Sequence, residues 1–328
     1  MRSLTKGTGR TLIRGAMVLT IMLGASQAQA QQEEDERSQD EKLLWEETLV
    51  AAKEGSSVAM CDLGELIVRG KEAQRGLKVA AKWFGKAAEQ DALCGLLRMA
   101  EFHRRGRGVE ENVALSDSFF ARALPQVSTL ARGGDIQMQI QLAKMHHKAL
   151  GTPEDLELAA LWYRNAATLL EPLVKVGDID AHKKLANILI IGVGVDRDVV
   201  RAGKLYEAAA TAGDRAGQFL AGRMFFTGKA NHPVDHERGF YWLFRAAEAD
   251  HPRSQAYIGA AFAQGLGVEP DPVEAVKWLQ LAIDRGVGAA RPELKELSQD
   301  ITEKQLQQGK DLAAEWIPIF DRGLAKSS

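Results

Sequence analysis

Beyond its first thirty residues the chain has no run near the ~20 consecutive apolar residues that a bilayer-spanning helix needs, so a helical membrane domain is excluded. It also lacks an excess of either charge. The 42 basic and 44 acidic residues leave a formal net charge of −2, which gives no electrostatic footprint for nucleic acid or for an anionic lipid surface. No alternating apolar–polar run is long enough to be a strand, so sheet-based folds drop out. Catalytic signatures are missing too. The Ser-x-x-Lys pattern occurs only at Ser3–Lys6, no Gly-x-Ser-x-Gly or phosphate-binding loop exists, and "HERGF" at 236–240 lacks the second His of a zincin. Cysteine is reduced to Cys61 and Cys94.

The first thirty residues form a separate object. Arg2, Lys6, Arg10 and Arg14 precede the short apolar run "GAMVLTIMLG" and a small-x-small site at Ala28-Gln29-Ala30. This is the pattern of a cleavable secretory signal over 1–30. No cysteine follows the apolar run, which argues against a lipid anchor. Removing four basic residues leaves 38 against 44 acids, a net charge of −6. Six of those acids fall in "QQEEDERSQDE", 31–41, read as a solvated, disordered leader.

A repeated word fills most of the rest. A large apolar residue recurs at Trp83, Phe119, Trp162, Leu205, Trp242 and Trp278, with gaps of 36, 43, 43, 37 and 36. Three residues earlier stands a small one: Ala80, Ser116, Ala159, Ala202, Gly239, Ala275. Four residues later stands Ala in every copy: Ala87, Ala123, Ala166, Ala209, Ala246, Ala282. Positions three or four apart share a helix face, and small residues there admit a close neighbour. A second word precedes each first one. It pairs an apolar with a small residue (Leu63-Gly64, Met99-Ala100, Leu142-Ala143, Leu185-Ala186, Ala221-Gly222, Ile258-Gly259) and puts Gly or Ala seven residues past the apolar one. In three copies that position opens "GRGV", "GVGV" or "GLGV", suited to a left-handed helix C-terminus. Each unit therefore reads as helix A, glycine turn, helix B. The expected fold is all-α: an α-solenoid of about six helix-turn-helix units over 57–290. The segment 42–56 reads as an N-terminal capping helix, 291–320 as C-terminal capping helices, and 321–328 as a tail. Thr302 and Gln305 suit a capping box, and Leu306, Leu312, Ala313 and Trp316 suit a lid over the last unit. The 43-residue gaps carry seven extra residues in helix B of units two and three. That is about two turns, or ~10 Å, which preserves the apolar phase. Pro125 and Pro172 fall there, where a kink or restart is expected.

The glycine turns and the A-x-x-W-x-x-x-A helix resemble the Sel-1-like repeat family, a relative of the tetratricopeptide repeat, over about 55–290. The tail also resembles the C-terminal segment of bacterial members. "ALGT" in unit three and the longer "TGKANHPVD" in unit five depart from the pattern. The resemblance implies an exported bacterial protein that acts by binding, with roles in envelope signalling, exopolysaccharide control or complex assembly. It also implies an alternative, a secreted protein that binds or weakly hydrolyses β-lactams. No nucleophile with a base supports the alternative, so a non-enzymatic periplasmic scaffold, adaptor or regulator is expected. Some exported members bridge neighbouring helices by disulfides. Cys61 and Cys94 therefore fit either one bond or two small buried thiols. Helix axes ~8–10 Å apart make the bond conditional on facing side chains.

His103 and His146 occupy equivalent sites in consecutive units, and His147 would be a third ligand. Ile67, Leu189, Phe225 and Phe262 fill that site elsewhere, so it reads as packing rather than metal. No metal or cofactor is expected. His232 and His236 read as solvated. The remaining candidate is the face of the A helices expected to be concave. Its column three after each helix start reads Asp62, Arg98, Gln141, Lys184, Leu220, Tyr257, and its column ten reads Arg69, Arg105, Lys148, Ile191, Thr227, Gln264. A groove made of Arg69, Arg98, Arg105, Lys148, Lys184, Ile191, Leu220 and Tyr257 passes from cationic to apolar. That suits a peptide or protein ligand of the cell envelope with an acidic end.

Overall fold

Every helix A is followed within a few residues by an antiparallel helix B, and the pairs stack in chain order. The computed structural model describes residues 43–69 and 73–318. The expected signal, leader and final tail lie outside the described residues. Helix α1 covers 43–53. Six hairpins follow: α2 (Ser57–Arg69) with α3 (Ala73–Glu89), α4 (Leu93–Arg105) with α5 (Val113–Arg132), α6 (Ile136–His147) with α7 (Leu156–Lys175), α8 (Ile179–Ile191) with α9 (Val199–Thr211), α10 (Arg215–Thr227) with α11 (His236–Glu248), and α12 (Pro252–Gln264) with α13 (Pro272–Asp284). Helices α14 (Ala290–Asp300) and α15 (Glu303–Ala314) close the stack against α13. No strand occurs among the described residues. The protein is an all-α solenoid with capping helices at its end.

The repeated words are packing instructions. All six alanines four past the Trp position are fully buried. The residue just after the Trp position is buried in every unit: Phe84, Phe120, Tyr163, Tyr206, Leu243 and Leu279 are all at most 2% exposed. The small residue of helix A exists to receive it. A Cβ on Gly64 would lie 2.5 Å from the Phe84 ring, and one on Gly259 would lie 2.6 Å from Leu279 Cγ. The Trp position itself is half-buried in units one to three and buried in units four to six.

The glycine turn joins units. Gly192 ends α8 in the left-handed region at φ 67°. Gly194, also left-handed at φ 78°, presses on α7 of the preceding unit, where an added Cβ would sit 2.0 Å from the Ala160 carbonyl oxygen. Unit five has no second glycine. Its longer turn forms a short 3-10 helix, Lys229–Asn231, and inserts His232 over Gly203 of α9. His232 and His236 are therefore not solvated. Both are half-buried, with rings 4.9 Å from Phe225 and 5.1 Å from Phe226. Helices α5 and α7 are 20 residues long against 13 for α9, α11 and α13, which is the seven-residue extension. Each runs through its proline as one helix without a restart.

Asp residues start seven of the described helices. Asp135, Asp155, Asp178, Asp198, Asp214, Asp235 and Asp271 each accept a backbone N–H in the first turn. Each such cap stabilises by about 1 kcal/mol. At the far end Thr302 and Gln305 form the capping box, Ala313 is buried, and Trp316 meets Trp278 edge-on at 5.7 Å.

Candidate functional site

The A helices stack side by side in one layer and the B helices in another. Ion pairs within the layers fix the register. Arg98 of α4 binds Glu65 of α2, and Lys144 of α6 lies 3.5 Å from Glu101 of α4. In the B layer Arg201 of α9 pairs with Glu171 of α7 at 2.7 Å, and Arg238 of α11 with Glu207 of α9.

This register changes the electrostatics expected of the groove. Arg98 is held by both Glu65 and Glu101. Lys184 is held by Asp180 at 2.7 Å, and that bond draws the Asp180 carboxyl below its ordinary range. Neither is a free cation. Arg105 and Lys148 are exposed and make no ion pair among the described residues. Arg69 ends α2, and its side chain lies outside the described residues. Of the apolar members, Ile191 is exposed, while Leu220 and Tyr257 are half-buried. Tyr257 packs on Phe219 and Phe226.

A residue the sequence reading passed over joins the free cations. Arg107, in the turn after α4, lies over the Phe102 ring at 5.5 Å. Burial and the charges of Arg105 and Arg253 hold its pKa below the ordinary guanidinium value. Arg253 belongs to α12, four units further on. Units two and six therefore lie within electrostatic reach of each other, as they would if the A layer, the face expected to be concave, formed the inner wall of the coil. Arg105 and Arg253 both act on Arg107, and Glu101 opposes them. Like charges within reach of one another repel in the free protein, and an anion or acidic chain that enters relieves the repulsion.

Helix positions six after the start share this inner wall and read Glu65, Glu101, Lys144, Asn187, Arg223 and Ala260. Acids therefore occupy this column only in its first two units. Near the fifth, Asn187, Ile190, Tyr206, Leu220, Arg223, Met224 and Lys229 line a cleft.

The histidines expected to pack do so at half-buried sites. His103 stacks on Phe119 at 5.9 Å, with its Nδ1 3.2 Å from the Glu110 carbonyl oxygen. His147 meets Tyr163 edge-on, and Nδ1 of His146 and of His147 is enclosed. No group of three metal-ligating side chains comes together among the described residues. Cys61 and Cys94 are joined as a disulfide between α2 and α4, with Cα atoms 6.2 Å apart. It ties the first unit to the second, where Gly95 lets α4 lie directly on the end of α3.

A search of the curated proteins finds no match. Solved structures with a similar arrangement include a protective antigen present in uropathogenic Escherichia coli strains displaying an SLR fold (23% identity, TM-score 0.35, covering 86% of this chain and 65% of that one). A Sel1 repeat protein from Oxalobacter formigenes matches at 23% identity and TM-score 0.40, over 70% of this chain and 85% of its own. A Klebsiella pneumoniae protein described as a sel1 repeat protein matches at 19% identity and TM-score 0.36, over 66% and 99%. The chain spans 65% of the length of the first of these. The family model of the Sel1 repeat matches residues 57–91, 95–117, 136–169, 179–214, 215–251 and 252–287, one match for each helical hairpin. This chain belongs to the Sel1 repeat family, whose members generally mediate protein–protein interaction.

Proposed function

We propose that the protein is an exported, non-enzymatic adaptor of the bacterial periplasm that holds an acidic segment of an envelope protein against the inner wall of its superhelix. One observation carries the reading. The charges of Arg105 and Arg253 bear on Arg107 against Glu101 alone, Arg105, Arg107 and Lys148 are exposed and make no ion pair among the described residues, and Ile191 and Leu220 belong to the same helix-A columns. The sequence signal at 1–30 supports export.

The test is in-cell cross-linking of the tagged protein, with mass spectrometry of what co-purifies, comparing wild type with Arg105→Glu/Arg107→Glu/Lys148→Glu. The expected result is an enriched envelope protein, lost in the triple variant, with an unchanged melting temperature because these side chains are exposed. Undiminished capture by the triple variant would overturn the groove. Recovery of the tagged protein in the cytoplasmic fraction would overturn export.

A further inference from the structure

We propose that the cleft between α8, α9, α10 and the Lys229–Asn231 turn is a carboxylate-binding subsite, with Arg223 and Lys229 as its cationic jaws. It rests on the adaptor reading and names the chemical group of the partner that the inner wall seizes.

Two cations line the cleft and no acidic residue does. Arg223 is half-buried, its Nε is enclosed without an acceptor, and its guanidinium sits over the Phe219 ring at 5.1 Å. Neither Arg223 nor Lys229 makes an ion pair among the described residues. Glu207, next to Tyr206 in the chain, is already engaged by Arg238. Burial and the charge of Arg223 both lower the pKa of Lys229, so the two cations sense each other directly. Ile190, Leu220 and Met224 supply apolar walls, which strengthen a charge-assisted hydrogen bond formed between them. The floor is rigid, because the Tyr206 hydroxyl donates to Asn187 Oδ1 at 2.8 Å and Asn187 Nδ2 donates to the Lys183 carbonyl at 2.9 Å.

Size selects the class of ligand. The cavity measures ≈ 50 Å³. One water needs roughly 10–15 Å³ of such space, so the cleft has room for the three heavy atoms of a carboxylate and not for a whole sugar or nucleotide. Leu220 belongs to the groove and also lines the cleft, so an extended chain in the groove can lower an acidic side chain or its terminal carboxylate into it.

Titration of the 15N-labelled protein at constant ionic strength, followed through the Arg Nε–Hε signals, tests this. The probes are acetate, inorganic phosphate, and three capped dipeptides: one with a Glu side chain, one with a free terminal carboxylate, and one with neither. Acetate is expected to shift the Arg223 signal saturably. The two carboxylate peptides then distinguish a side-chain from a terminal source, and the neutral peptide leaves the signal unmoved. Lys229→Gln, an exposed substitution, weakens acetate binding roughly tenfold. Asn187→Glu is expected to abolish the response, because it sets a carboxylate beside Arg223 as Glu101 stands beside Lys144. A linear, non-saturating shift overturns the subsite, as does an unchanged response in Lys229→Gln. Phosphate binding tenfold tighter than acetate overturns the carboxylate class. None of these outcomes touches the cross-linking at Arg105, Arg107 and Lys148, so the subsite and the adaptor reading fail separately.

Discussion

His251 replaces the usual Asp at the start of α12, and the substitution makes the last repeat sensitive to mild acid. Its Nδ1 accepts the Ser254 backbone N–H at 3.2 Å, which requires that nitrogen to be unprotonated. The ring lies 4.4 Å from Phe219. Burial first, then the charges of Arg215 and Arg253, depress its pKa from 6.5 to about 4. A positive ring would also sit at the positive end of a helix dipole. In the unfolded chain the imidazole keeps its ordinary value, so below pH 6.5 the unfolded state binds a proton that the folded state refuses. The stabilisation is complete above pH 6.5 and is lost as the pH falls toward 4. The full interval is worth about 3 kcal/mol, and the step from pH 7 to 5 about 2 kcal/mol. The control is His251→Asn, which caps the helix without titrating. Urea unfolding at both pH values should show the wild type losing about 2 kcal/mol more than the variant. Hydrogen exchange should place that loss in α12 and α13, because repeat proteins open locally. Equal losses in the two proteins, or an NMR titration of His251 with its midpoint near 6.5, would refute the reasoning.

Other parts of the stack give equally direct tests. The disulfide closes a loop with a sequence separation of 33, so replacing Cys61 and Cys94 by Ala should cost the oxidised protein about 4 kcal/mol on the chain-entropy estimate, read by urea unfolding. Gly194→Ala should cost roughly 2–5 kcal/mol, since it adds a clash with α7 to a left-handed backbone. Gly213→Ala, left-handed but facing open space, should cost only about 1–2 kcal/mol. Equal effects in thermal melts of these two variants would contradict the role of Gly194 as a junction between units. Trp316→Ala removes the ring seated on Trp278 and should cost about 2–3 kcal/mol. Hydrogen exchange should then rise in α13 and α15 and stay unchanged in α4.

The repeat boundaries were legible because small residues cannot be replaced where helices touch. The invariant alanines and the glycine turns mark those contacts directly, and the helices fall where the pattern places them. What the pattern could not rank was two adjacent large residues. An apolar stripe on a helix is about 100° wide, so Trp83 and Phe84 both lie on it, and only the neighbouring Gly64 decides that Phe84 goes deeper. The Asp caps went unread, although each leaves a signal in the sequence, a short acceptor just before an apolar run. The histidines of unit five were misjudged because Pro233 and a polar string suggest an exposed loop. Only the fold shows the gap over Gly203 that His232 fills.

The inner wall was the least legible part, because its charge state depends on partners far along the chain. Arg98 and Glu65 are 33 residues apart, and they meet only once stacking sets the register between α2 and α4. That register explains where the unpaired cations end up. Glu65 and Glu101 neutralise Arg98 and Lys144, so the early part of the wall is a closed ladder of ion pairs. The position-six column then loses its acids. Asn187 holds the next rung and offers Arg223 no charge. Arg105, Lys148 and Arg107 escape pairing for a different reason: they sit at the end of helix A or in its turn, beyond the reach of the ladder. A solenoid built from one repeated hairpin thus acquires distinct binding zones along its length through the few wall positions where Glu gives way to a neutral residue, while the packing positions underneath stay the same.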